Sequence, residues 1–101
     1  MSLKKQYILT KPLCKVTFKL SKDLSNYANQ VVLTGDFNNW DLESLPMKKL
    51  KSGEFTTSLD LEKGREYQFR YLIDGQIWLN ETEADKYVPN EFQSENSVVI
   101  V

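Results

Sequence analysis

Few of the side chains that usually carry chemistry are present in this chain. It has no histidine, which removes the commonest general base and the commonest metal ligand and excludes Ser-His-Asp and Cys-His arrangements. Cys14, the lone cysteine, offers no zinc site without histidine, and four glycines make no phosphate-cradling loop. The clustered carboxylates Glu81, Glu83 and Asp85 remain. Glycoside hydrolysis needs two carboxylates opposed across a cleft, and a calcium loop of the EF-hand kind needs regularly spaced oxygen ligands. Set in a polar loop, these three read instead as solvated surface, so no catalytic residue, metal or cofactor is expected. Recognition chemistry is what is left: flat rings and hydrogen-bonding groups. Trp40 stands among Asn38, Asn39 and Asp41, a setting that favours an exposed ring over one packed into the core.

The elements that must position such groups are short strands separated by turns, the pattern of an all-β sandwich. From Leu13 to Leu20, Cys14, Val16, Phe18 and Leu20 alternate with Lys15, Thr17 and Lys19. A polar stretch, Ser21 to Gln30, leads to a second strand, Val31 to Gly35, and a long loop from Asp36 to Leu45. Met47 to Leu50 is expected to pair with Glu54 to Asp60 across a Ser52-Gly53 turn. In the strand from Arg65 to Ile73, Tyr67, Phe69, Tyr71 and Ile73 form an apolar face while Gln68 and Arg70 point the other way. Asp74-Gly75 is a hairpin turn leading to Gln76–Leu79. A loop, Asn80 to Asn96, precedes a last strand, Ser97 to Val101. Residues 1–11 read as an N-terminal extension and 12–101 as the sandwich domain.

The chain's 101 residues fit one domain. Thirteen basic residues face fourteen acidic ones, a net charge of -1, which gives no electrostatic reason to expect nucleic acid or an anionic membrane as partner. A single cysteine makes no internal disulfide, and no apolar stretch of signal-peptide type follows Lys4 and Lys5. The run Val98–Val101 is far too short to span a bilayer. A cytoplasmic location is the expectation.

The ordered set Gly35-Asp36-Phe37-Asn38-Asn39-Trp40, Tyr67-Gln68-Phe69-Arg70-Tyr71, Asp74-Gly75, Trp78 and Asn96-Ser97-Val98 resembles the family 48 carbohydrate-binding modules. These include the glycogen-binding domain of the AMP-activated kinase β subunit and the N-terminal early-set domains of isoamylases and glycogen branching enzymes. Short stand-alone bacterial early-set proteins are similar over nearly their whole length. The resemblance implies an immunoglobulin-like (early-set) antiparallel β-sandwich that binds α-glucan without catalysis. It also implies a site: Trp40 and Trp78 as stacking rings, Arg70 where the family carries lysine, and Phe92, Ser94 and Asn96 on the loop before the last strand. A glycogen-metabolising enzyme is the protein partner it suggests. The physical logic stands apart from the family. A glucose ring has an apolar C–H face that an aromatic ring covers, and a rim of hydroxyls that arginine and asparagine satisfy.

Two departures matter. Ile77 occupies the family's place for the second tryptophan, so Trp78 comes one residue late. A two-residue Asp74-Gly75 turn pairs Tyr71 with Trp78 and turns its ring to the core. A three-residue turn, Asp74 to Gln76, pairs Leu72 with Trp78 and places the ring beside Arg70, because paired residues point the same way. The longer turn is expected. The second departure, arginine for lysine at position 70, changes geometry but keeps a cationic donor. Plainer readings accompany each site residue: Arg70 pairing with Glu54 or Asp60, Phe92 plugging its loop, and Ser94 and Asn96 capping turn backbone. The alternative function is a protein-interaction or structural accessory module of glycogen-metabolising enzymes that has lost its sugar site.

Overall fold

The structure, a computed structural model, describes residues 3–101. Among the described residues nine strands follow in chain order: β1 (Leu3–Tyr7), β2 (Leu13–Leu20), β3 (Val31–Gly35), β4 (Lys48–Lys49), β5 (Phe55–Glu62), β6 (Glu66–Ile73), β7 (Ile77–Leu79), β8 (Lys86–Pro89) and β9 (Glu95–Ile100). They make two antiparallel sheets, β1-β2-β5-β4 and β3-β6-β9-β8, with β7 added against β6. The chain crosses between sheets after β2, β3 and β5. That order is the one in which an immunoglobulin sandwich places its first, second, fifth and fourth strands opposite its third and sixth. No helix among the described residues is long and apolar enough to cross a membrane.

Period-two patterning places the core between the sheets. In β2, Cys14, Val16, Phe18 and Leu20 are buried while Lys15 and Lys19 are exposed. In β6, Phe69, Tyr71 and Ile73 point inward. Phe69 meets Phe18 edge-on across the sandwich, with ring centroids 5.1 Å apart, the offset that the aromatic quadrupole favours. All five residues of β3 are buried, since the Leu45–Met47 segment lies along its outer edge, donating Met47 N–H to Val31 O and accepting Leu33 N–H at Leu45 O.

The β4–β5 hairpin forms as expected, Leu50 N–H donating to Glu54 O around Gly53 at φ 93°. Three other expectations are corrected. Within the expected N-terminal extension 1–11, Leu3–Tyr7 pairs along its whole length with β2, and Leu3 joins the core. Within the expected loop 80–96, Lys86–Pro89 pairs with β9. Glu81 is not solvated surface. It is 1% exposed, its carboxylate accepting the Tyr71 hydroxyl at 2.7 Å and the Glu83 N–H at 2.8 Å. Burial and the neighbouring Glu81 carboxylate push the Tyr71 phenol well above its ordinary value of 10.0, because both disfavour a phenolate.

Candidate functional site

The outer face of the second sheet is where the recognition residues meet. Gln68 and Arg70 project there from β6, opposite in sense to Phe69 and Tyr71. The turn between β6 and β7 is the longer of the two alternatives: Ile73 pairs with Ile77, Leu72 with Trp78 and Tyr71 with Leu79. Asp74 and Gly75 take positive φ, Gln76 N–H closes the turn on Ile73 O, and Asp74 Oδ1 accepts the backbone N–H groups of Asn29 and Gln30. The extra turn residue brings the Trp78 ring to the Arg70 face, 40% exposed.

Arg70 Cζ lies 5.6 Å from the centre of that ring, within cation–π range. Glu54 and Asp60, the partners of the plainer reading, belong to or border β5 in the other sheet. No ion pair joins Arg70 to a carboxylate among the described residues. Partial burial lowers its pKa below the ordinary guanidinium value, yet a guanidinium stays charged at neutral pH.

The loop after β3 presents Trp40, and its sequence explains its shape. Gly35 is required by close approach: a Cβ there would lie 2.4 Å from Gln68 O and 2.8 Å from Phe69 Cβ. Phe37 anchors the loop against Phe18, Tyr67 and Phe69. Asn38 braces it from within, accepting Gly35 N–H and donating to Leu33 O, Asp41 O and Ser44 Oγ. Asn39 and Trp40 both adopt left-handed backbone, φ 55° and 57°. Trp40 Nε1–H donates to Asp36 Oδ1 at 3.0 Å.

A third wall comes from the segment joining β8 to β9. Asn90 Oδ1 accepts the N–H groups of Phe92 and Ser94, shaping the turn, while Asn90 Nδ2 donates to Asn96 Oδ1 and Asn96 Nδ2 to Gln68 Oε1 at 3.0 Å. Phe92 stands 79% exposed at its crest.

Together these parts enclose an open groove of about 700 Å³, lined by Trp40, Arg70, Trp78, Phe92 and Asn96. Five of the six expected site residues therefore converge. Ser94 lies outside the lining; its N–H is spent on Asn90. The sequence reading missed Gln68, Asn90, Leu42 and Glu91, which complete the walls. Gln68 was within reach, two residues from Arg70 on the same face; the other three come from loops whose course no periodicity sets. The chemistry available is ring stacking, a cation and a linked chain of amides. Among the described residues no group of three or more Cys, Asp or Glu is placed to hold a metal ion.

A shallow groove with two indole rings, on an immunoglobulin-like sandwich, is the class of site these parts define: an open surface whose shape and groups suit a flat-faced, hydroxyl-rich ligand. Comparison with known proteins gives the class a family. Residues 18–101 match the glycogen recognition site of AMP-activated protein kinase, and the chain belongs to that family. It is 33% identical over 72 residues to 5'-AMP-activated protein kinase subunit beta-1 of Sus scrofa, covering 71% of this chain and 54% of the relative. It is 41% identical over 51 residues to Protein PTST homolog 2, chloroplastic, of Arabidopsis thaliana, covering 50% of this chain and 9% of the relative. With Protein FLOURY ENDOSPERM 6, chloroplastic, of Oryza sativa subsp. japonica it shares 37% identity over 57 residues, 56% of this chain and 10% of the relative. The chain thus spans between 9% and 54% of the length of these relatives.

Proposed function

We propose that Trp40, Trp78, Arg70, Phe92 and Asn96, joined by Gln68 and Asn90, hold a run of α-1,4-linked glucose units along the groove. The observation that carries this reading is the meeting of both indoles in one groove, Trp78 exposed and Trp40 half-buried, with Arg70 beside the Trp78 ring. The rings cover the apolar C–H faces of successive sugars. The amides and the guanidinium meet the hydroxyl rim, and the amide chain from Asn90 through Asn96 to Gln68 keeps them oriented before ligand arrives. A protein-interaction module that had lost its sugar site would be expected to bury Trp78, so the ring's exposure favours glucan over that alternative.

We read the module as non-catalytic, because Glu91 is the carboxylate lining the groove and glycoside hydrolysis needs two opposed ones. Its role would be to hold a glycogen-metabolising protein, covalently attached or associated, against its polymer. A buried free thiol at Cys14 suits a reducing compartment such as the cytoplasm.

The test is a titration with maltoheptaose and β-cyclodextrin, following intrinsic tryptophan fluorescence, with Trp40→Ala as control. A saturable change is expected, with a dissociation constant of roughly 10 μM to 1 mM, about 4 to 7 kcal/mol. It should vanish in Trp40→Ala while circular dichroism reports an unchanged fold. Absence of any change up to about 10 mM ligand, where even ~3 kcal/mol of binding would register, would sink the reading.

A further inference from the structure

Asp36 is exposed, yet both its carboxylate oxygens are engaged. Oδ1 accepts the indole Nε1–H of Trp40 at 3.0 Å, and Oδ2 accepts the backbone N–H of Gln68 at 2.8 Å. One side chain therefore links the ring of the loop after β3 to the strand that carries Gln68 and Arg70. The link matters because the backbone alone does not set the ring: Trp40 N–H donates to Gly35 O at 2.9 Å, but the side-chain torsions remain free to choose among rotamers. The Trp40 φ of 57° lies in the left-handed region, where a bulky residue is uncommon. Phe37 anchors the loop upstream of Asn39 and Trp40, and Asn38 braces it on both sides, reaching Leu33 O, Asp41 O and Ser44 Oγ. Neither makes a ring contact or hydrogen bond to the indole among the described residues.

We infer that Asp36 is a positioning residue for glucan recognition: its forked carboxylate fixes the Trp40 ring relative to the Arg70–Trp78 side of the groove. The inference rests on the glucan reading of that groove. Both groups it must satisfy are N–H donors, so the position calls for two acceptors in a fork. A carboxylate supplies them, whereas an amide of the same shape supplies one and aims an NH₂ at the other donor. The indole N–H has a single hydrogen to give, and Asp36 takes it, which leaves Trp40 to act through its face. A ring already held in place loses less freedom when sugar binds.

The experiment compares four versions of the 101-residue chain by calorimetric titration with maltoheptaose: wild type, Asp36→Asn, Trp40→Phe and the double variant. Phenylalanine keeps a stacking face but has no N–H. Asp36→Asn is expected to weaken binding about fivefold when residue 40 is tryptophan, the worth of roughly one hydrogen bond. When residue 40 is phenylalanine, the same change should cost less than about twofold. A second readout needs no ligand: in a Trp78→Phe background, where Trp40 is the remaining indole, Asp36→Asn should raise acrylamide quenching of its fluorescence. Equal costs in both backgrounds, or unchanged quenching, would overturn the inference and leave Asp36 a general brace of the loop. Failure of the glucan reading looks different: wild type and Trp40→Ala would then respond alike to maltoheptaose, while the quenching comparison still decides whether Asp36 holds the ring.

Discussion

The two outward faces of the sandwich arise from the same strand alternation and present different surfaces. On the first sheet, cross-strand rows run Gln6–Lys15–Asp60 and Lys4–Thr17–Ser58, with Lys19 beside Thr56. The Thr17 and Ser58 hydroxyls bond at 2.9 Å, and the lysines Lys4, Lys15 and Lys19 are exposed. On the second sheet, the outward set includes Gln68, Arg70, Trp78 and Asn96, and loop residues Trp40, Asn90 and Phe92 wall it in. Strand patterning alone makes a solvated plane, the usual fate of an outer face in an antiparallel sheet. A site appears where loops rim the plane and rings replace lysines. The difference teaches that the groove depends on the three connections around it: the β3–β4 loop, the β6–β7 turn and the β8–β9 turn.

The largest expected effect tests the first of those connections. Gly35→Ala places a Cβ 2.4 Å from Gln68 O, against backbone that has nowhere to go. Denaturant unfolding should find it destabilised by about 3 kcal/mol. A neutral result would mean that the loop is not held tightly against β6 and that this wall of the groove is loose.

Next comes the β6–β7 turn. Trp78→Ala should lose about 2 kcal/mol of maltoheptaose binding, near thirtyfold, with little change in thermal midpoint because the ring is partly exposed. Its neighbour Ile77, paired with Ile73 and pointing to the other side of the strand, should tolerate alanine with unaltered affinity. If the two variants behaved alike, the register of the turn would not govern the site. Arg70→Lys sharpens the point at smaller scale. Lysine keeps the charge but loses the planar group that lies over the Trp78 ring, so affinity should fall by about 1 kcal/mol.

A pH series separates face from interior. The Tyr71 phenol, raised by burial and Glu81, stays protonated in the fold while an unfolded tyrosine releases its proton near pH 10. The folded state then binds more protons, so its stability is intact below about pH 10 and declines as pH rises toward the folded-state value. Tyr71→Phe should flatten that alkaline decline, at a fixed cost of about 1–3 kcal/mol for leaving Glu81 Oε1 without its donor. Maltoheptaose affinity, whose direct contacts are neutral groups and an arginine, should be level between about pH 6 and 9.

Legibility in the sequence follows the same division. Strands β2 and β6 could be read residue by residue because apolar and polar side chains alternate from Cys14 to Leu20 and from Glu66 to Tyr71. β1 and β8 could not: Leu-Lys-Lys-Gln-Tyr and Lys-Tyr-Val-Pro lack that alternation, and their strand state comes from pairing with β2 and β9. Glu81 looked solvated because its setting is polar, but the Tyr71 hydroxyl that buries with it sits ten residues away. In the groove, Trp40, Arg70, Trp78, Phe92 and Asn96 were legible from the motif and the turn arithmetic. Ser94 was expected there and is instead drawn into the turn by Asn90. Asn90 itself gave no signal beyond being a turn residue after Pro89, and its role depends on a loop shape that propensity does not set.

The smallest effect is the one that most directly contrasts the two faces. A Lys15→Ala, Thr17→Ala, Lys19→Ala variant removes two charges and a hydroxyl from the first sheet and touches nothing that lines the groove. Maltoheptaose affinity should shift by less than about twofold, since a neutral ligand feels no field from charges on the far side of the sandwich. Raising salt from about 0.05 to 0.5 M should likewise leave wild-type affinity flat. Stability should fall by about 1–2 kcal/mol, up to about 0.5 for each substitution together with the lost Thr17–Ser58 hydrogen bond. A larger loss of affinity, or a clear salt dependence, would mean that glucan also contacts the lysine face, and the division of labour between the sheets would have to be redrawn.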